Sequence, residues 1–172
     1  MVTLALDQGF RGIDTANQRK HYNEAAVGEG IREMINRGLI ARRDLFIQTK
    51  FTQLHGQDHR LPYDPHSSLT DQVEQSFVSS LEHLGIEIID CYVLHGPSTR
   101  SGLGRDDWAI WRAMENIYDS GRALILGVSN VTREHSKVFA RMLVFGLASF
   151  KTDAMLLRVG ITIFVRFAML TK

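Results

Sequence analysis

The sequence predicts an α/β fold built on a parallel sheet, and three observations carry the prediction. Short apolar runs alternate with stretches of helical periodicity along most of the 172 residues, the pattern of strand–helix–strand units with right-handed crossovers. One run, Ile88 to Leu94, is apolar almost throughout, as expected of a strand covered on both faces. Polar residues stand at or just after the ends of the predicted strands: Asp14, Lys50, His95 and the pair Ser129–Asn130, with Tyr22 shortly after the first. Side chains at the C-terminal ends of parallel strands face one common mouth. An acid, a phenol, an amine and an imidazole converging there can act as a proton-transfer device.

The elements follow in order. Val2 to Gln8 reads as the end of a helix capped by Gly9, and Gly12 to Asp14 as a short strand. Asn23 is a suitable N-cap and Glu24 a suitable first-turn acid for a helix that runs to about Arg37 and stops at Gly38. Leu45 to Thr49 forms the next strand, and residues 51–67, with Gly56, Pro62 and Pro65, form a long polar loop. Ser68 opens a helix with Asp71 as its capping-box acid, and Gly85 ends it. Within it Leu69, Val73, Phe77 and Leu81 recur every four residues and make one face core. After Ile88–Leu94, Asp106 or Asp107 caps a helix carrying Trp108, Trp111, Met114 and Ile117, closed by Gly121. Leu124 to Val128 is the next strand, and Thr132 caps a helix reaching about Phe145. Beyond Gly146 the punctuation is lost: Ala154 to Leu170 is apolar, with Gly160 to Val165 as its candidate strand.

Composition narrows the partners. The length suits a single domain, 1–172, with its own core, and the formal net charge of +1 argues against nucleic acid. The single cysteine, Cys91, rules out an internal disulfide or a cysteine zinc cluster, and inside an apolar run it reads as a small buried hydrophobe. No basic segment followed by an apolar one opens the chain, so no secretory signal is expected. The apolar stretch Ala154–Leu170 is short for a membrane span and carries Arg158 and Arg166. The expectation is a cytoplasmic protein without a membrane partner. His55 and His59 stand four apart, but Gly56-Gln57-Asp58 between them is loop-like and no third ligand is evident, so no metal site is expected.

Taken singly, each polar strand-end residue has an ordinary reading. Asp14 can cap a turn, Tyr22 can be a half-buried surface aromatic, Lys50 a solvated charge and His95 a satisfied core histidine. Their order carries more. The runs GFRGIDTA, YNEAAVGEGIRE, LFIQTK, LEHLGIEIIDCYVLHGP and WRAMENIYDSGRALILGVSN resemble, in that order, motifs of the aldo-keto reductase family, over roughly residues 4–140.

That resemblance implies an eight-stranded TIM barrel, of which this chain would form an incomplete parallel (β/α)8 barrel, roughly half. It implies reduction of an aldehyde or ketone with NADP(H), bound without a Rossmann motif. Carried onto this sequence, it makes Tyr22 the general acid that protonates the carbonyl oxygen and Lys50 the charge that lowers the phenol pKa. Asp14 would pair with Lys50 and border the cofactor, and His95 would orient the substrate carbonyl. Ser129 and Asn130 would hold the nicotinamide carboxamide.

The sequence departs from the family pattern in identifiable places. The usual D-T-A-x-x-Y spacing is stretched, with Asn17 to His21 between Ala16 and Tyr22, and the loop after Lys50 is long. The first barrel strand is expected to be missing, and the pattern fades soon after Asn130. The sixth-strand glutamine and the basic segment that grips the adenosine 2′-phosphate are not recognisable, and Arg158 and Arg166 do not match that segment's context. Two readings therefore stay open. One is an NADPH-dependent reductase; the other is a catalytically inactive family member acting as a binding or regulatory module, or a non-functional fragment. An open half-barrel exposes strand edges and an inner face, which self-association, or the divergent tail 146–172 packing across the opening, would cover.

Overall fold

A computed structural model describes residues 1–99 and 103–132 and, as backbone, the strands 154–159 and 162–167. Four strands, β1 (Gly12–Asp14), β2 (Phe46–Phe51), β3 (Cys91–Leu94) and β4 (Leu126–Val128), pair in parallel in sequence order. Helix α1 (Val2–Asp7) precedes β1, and α2 (Glu24–Asn36), α3 (Leu69–Leu84) and α4 (Arg105–Asp119) are the crossovers. The arrangement is the expected half of a parallel α/β barrel, laid out as an open sheet. The helix expected from Thr132 to Phe145 falls, apart from Thr132 itself, outside the described residues.

Local chemistry sets the helix ends. Asn23 Oδ1 accepts the Ala26 N–H at 3.1 Å, and Ser68 Oγ accepts the Asp71 N–H at 3.2 Å, each taking up a donor that the first turn leaves orphaned. Gly85 ends α3 at φ 68°, a left-handed conformation that favours glycine. Helix α4 differs from expectation: Gly104 is its N-cap, and the Asp107 carboxylate reaches back to the Gly104 N–H at 2.8 Å.

The core lies between sheet and helices. Alternation along β2 sends Ile47 and Phe51 to the helix layer and Gln48 and Lys50 to the opposite face. Phe51, Phe77, Tyr92, Leu94, Ile110 and Met114 are fully buried in the larger cluster, where the Phe77 and Tyr92 rings meet edge-on with centroids 4.9 Å apart. Leu6, Ile31, Met34 and Leu84 form a second cluster with Ile47. Gly28 lets α2 lie against α3, since a Cβ there would stand 2.1 Å from the His83 carbonyl oxygen.

Strand boundaries move for physical reasons. β2 continues past Thr49 because Lys50 and Phe51 pair with Val93 and Leu94. β3 starts at Cys91 rather than Ile88. Asp90 places its carboxylate on the Ile47 N–H at 2.8 Å and on Arg42 at 2.6 Å, occupying a donor that a ladder would use, and Ile89 keeps only an isolated bridge to Ala123. The tail departs from the all-parallel expectation. β5 (Ala154–Val159) and β6 (Thr162–Phe167) form an antiparallel hairpin, and β6 pairs antiparallel with β4. Only two residues separate β5 from β6, whereas a parallel crossover takes a dozen or more. Among the described residues no helix is long and apolar enough to cross a membrane.

Candidate active site

The register that sets Asp14 beside Gln48 brings three side chains of β1 and β2 together at the strand ends. Lys50 Nζ donates to Asp14 Oδ1 at 2.5 Å and to the Thr15 carbonyl at 2.8 Å. The Lys50 side chain is 5% exposed and that of Asp14 58%, so a buried ammonium is compensated by an acid at the rim. Gln48 Nε2 donates to the same Asp14 Oδ1 at 2.6 Å. Sequence reasoning passed over Gln48, although its place two residues before Lys50 on one strand puts both on one face.

Tyr22 joins this group despite its stretched spacing. Lys50 Nζ stands 5.2 Å from the centroid of the Tyr22 ring, and the Tyr22 and His95 rings meet edge-on with centroids 5.9 Å apart. Asp14, Tyr22, Lys50 and His95 therefore share one neighbourhood. Burial, with a further push from the Asp14 carboxylate, holds the Tyr22 phenol above its usual pKa. This is the reverse of the lowering that Lys50 alone would produce, because burial of the phenol and then the Asp14 carboxylate act against it.

His95 sits at the end of β3, where its N–H donates to the Phe51 carbonyl at 2.9 Å. Its Nδ1 is 2.7 Å from Thr52 Oγ1. Burial, and then the nearby Lys50 charge, lower its pKa to about 4, so the ring is neutral at physiological pH. Thr52 Oγ–H has no other acceptor among the described residues. With the Thr52 hydroxyl as donor to Nδ1, the ring proton lies on Nε2. Just after β4, Ser129 is buried, with its N–H on the Leu94 carbonyl at 2.9 Å. Asn130 adopts φ 53° and donates from Nδ2 to the His95 carbonyl at 2.7 Å, which fastens the β4 end to the histidine.

Two further acids were not singled out by the sequence. Glu24 was expected only to favour a helix N-terminus. Instead it is buried, accepting Thr49 Oγ1 at 2.5 Å and Ser80 Oγ at 3.2 Å, with His83 Nδ1 at 3.3 Å. Asp107 is also buried. Its Oδ1 accepts Ser98 N and Ser98 Oγ, each at 2.7 Å, and Gln53 Nε2 at 3.0 Å. Burial would raise the Asp107 carboxyl, but these bonds and the one from Gly104 more than offset it and hold it below the usual range. No local signal marks either role, because the partners lie on other elements.

The profile of the Aldo/keto reductase family matches residues 1–161. This chain belongs to that family. Among curated relatives, the Bacillus subtilis (strain 168) oxidoreductase YtbE is 38% identical over 134 residues, covering 78% of this chain and 41% of that protein. The glyoxal reductase of the same organism is 34% identical over 136 residues, covering 78% of this chain and 40% of the relative. Among solved structures, a Bombyx mori aldo-keto reductase in complex with NADP aligns with a TM-score of 0.62 at 30% identity, over 83% of this chain and 42% of that one. This aldo/keto reductase chain thus spans about two fifths of the length of the relatives it matches.

Proposed function

We propose that this chain carries the proton-donating half of an NADPH-dependent carbonyl reductase acting on an aldehyde or ketone. The observation that carries the proposal is the convergence of Tyr22, Lys50 and His95 at one mouth. The cofactor, when bound, supplies the hydride that reaches the carbonyl carbon. Tyr22 donates its phenolic proton to the carbonyl oxygen as the alkoxide develops. Its raised pKa keeps the phenol protonated before reaction, and the Lys50 ammonium beside the ring stabilises the phenolate left behind. Asp14 and the Thr15 carbonyl hold that ammonium in place. Neutral His95 donates from Nε2 to the same substrate oxygen, fixing its orientation without competing for the proton.

The polar pair just after β4 suits the cofactor's carboxamide. The Ser129 hydroxyl and the amide oxygen of Asn130 complement an amide's N–H and C=O groups. The Bombyx mori relative was solved with NADP, and the Bacillus subtilis relative is named for glyoxal reduction; both support the reading.

The test is a fluorescence titration of the purified chain with NADPH, followed by NADPH oxidation in the presence of an aldehyde. Saturable binding with turnover that Tyr22→Phe removes supports the reductase. Binding without turnover selects a cofactor-binding module, and no binding by a folded chain rejects both.

A further inference from the structure

The stretched segment between Ala16 and Tyr22 is pinned by side chains that the catalytic reading leaves without a role. Asn17 Nδ2 donates to the Ser76 carbonyl on α3 at 2.9 Å, and Gln18 Nε2 donates to the Gly56 carbonyl at 2.6 Å. Arg60 reaches the Arg19 carbonyl at 2.9 Å. In the opposite direction, Gln57 Nε2 donates to two carbonyls, that of Asn17 at 2.9 Å and that of Thr52 at 3.1 Å. Thr52 is the residue whose hydroxyl meets His95 Nδ1, and its carbonyl also accepts Tyr63 Oη–H at 2.9 Å. On the near side, the Gln18 carbonyl accepts the Tyr22 N–H at 3.0 Å and the His21 N–H at 3.1 Å. One carboxamide therefore joins the tyrosine's loop to the histidine's hydrogen-bond partner.

We infer that Gln57, reinforced by Gln18, is a positioning residue that sets Tyr22 against His95 by tying residues 17–22 to Thr52. A segment of five residues has many ways to present the tyrosine that follows it, and proton transfer tolerates little displacement of the donor. Crossed side-chain-to-backbone bonds between two long loops restrict those ways without a regular element. The two departures from the family spacing, a longer approach to Tyr22 and a longer loop after Lys50, thereby become one device: the second loop supplies the clamp that the first requires. The kinetic consequence rests on the reductase reading proposed above; the geometric consequence does not.

Gln57→Met keeps the side chain's length and removes both donors. On the full chain, kcat for aldehyde reduction should fall about tenfold, while KM and the NADPH affinity change by less than about twofold. In the same variant, the NMR cross-relaxation between the Tyr22 and His95 rings should weaken and the Tyr22 amide should exchange faster. An unchanged kcat, or a lowered kcat with ring contact and Tyr22 exchange as in the wild type, overturns the inference. Should the wild type show no turnover, the reductase reading fails by itself, and ring contact with Tyr22 exchange then decides the clamp. Should Gln57→Met not fold, Gln18→Met, which removes the Gly56 bond, is read by the same criteria.

Discussion

Asp14 and Asp107 both stand by loops at the mouth, one with a side chain 58% exposed and the other fully buried. Asp14 directs Oδ1 alone at Lys50 and Gln48, and its other oxygen has no hydrogen-bond donor among the described residues. Asp107 has both oxygens occupied, by Ser98, Gln53 and the Gly104 N–H. The exposed acid adjusts a charge beside a phenol; the buried one locks the loops after β2 and β3 onto the start of α4. Residual hydrogen-bonding capacity at a solvent-facing rim marks a group that can respond to a ligand. Complete satisfaction in the interior marks scaffold.

The comparison breaks or sharpens under substitution. The largest effect is expected at the phenol that the Asp14 group serves. Tyr22→Phe should lower turnover about a thousandfold, with NADPH affinity unchanged within about twofold, as measured by NADPH oxidation and fluorescence titration. Undiminished turnover would remove Tyr22 from the chemistry. Next comes the scaffold acid: Asp107→Ala should destabilise the fold by about 2 kcal/mol in urea denaturation, because it takes the acceptor from part-buried donors on Ser98, Gln53 and Gly104. A loss under about 1 kcal/mol would show that the loops hold without it.

Asp14→Asn should reverse that balance. Turnover should drop about thirtyfold as Lys50 loses its charged anchor, while stability falls by only about 1 kcal/mol, because solvent screens the exposed partner. If stability fell as far as in Asp107→Ala, the division between chemical and scaffold acid would collapse.

The last effect is a pH dependence. The folded His95 titrates at about 4 instead of the ordinary 6.5, so between those values the unfolded chain binds the extra proton. The contribution is present above about 6.5, is lost as pH falls toward 4, and changes no further below that. His95→Gln should flatten this part of a plot of urea midpoint against pH. An identical slope in variant and wild type would mean that His95 is not the group involved.

Much of the half-barrel was legible in the chain because its signals are local. Asn23, Ser68 and Gly85 act on their own helix ends, and the four-residue recurrence of Leu69, Val73, Phe77 and Leu81 makes one face of α3 core. The polar strand-end residues were legible for the same reason, since a strand's end fixes where its last side chain sits. The tail was not: an apolar run punctuated by Gly160 alone fits several elements, and the structure pairs it as a hairpin on the β4 edge.

The sequence by itself determined the order of strands and helices, the chemistry available at the mouth and the family to which the chain belongs. Only the tertiary structure decided how that chemistry is tuned. Tyr22 meets Lys50 and His95 across a stretched spacer, Asp14 joins burial in raising the phenol's pKa, and Gln57, Glu24 and Asp107 find partners on other elements. Caps and strand faces depend on neighbours a few residues away, whereas hydrogen bonds across tens of residues and the desolvation of a side chain exist only once distant segments have packed.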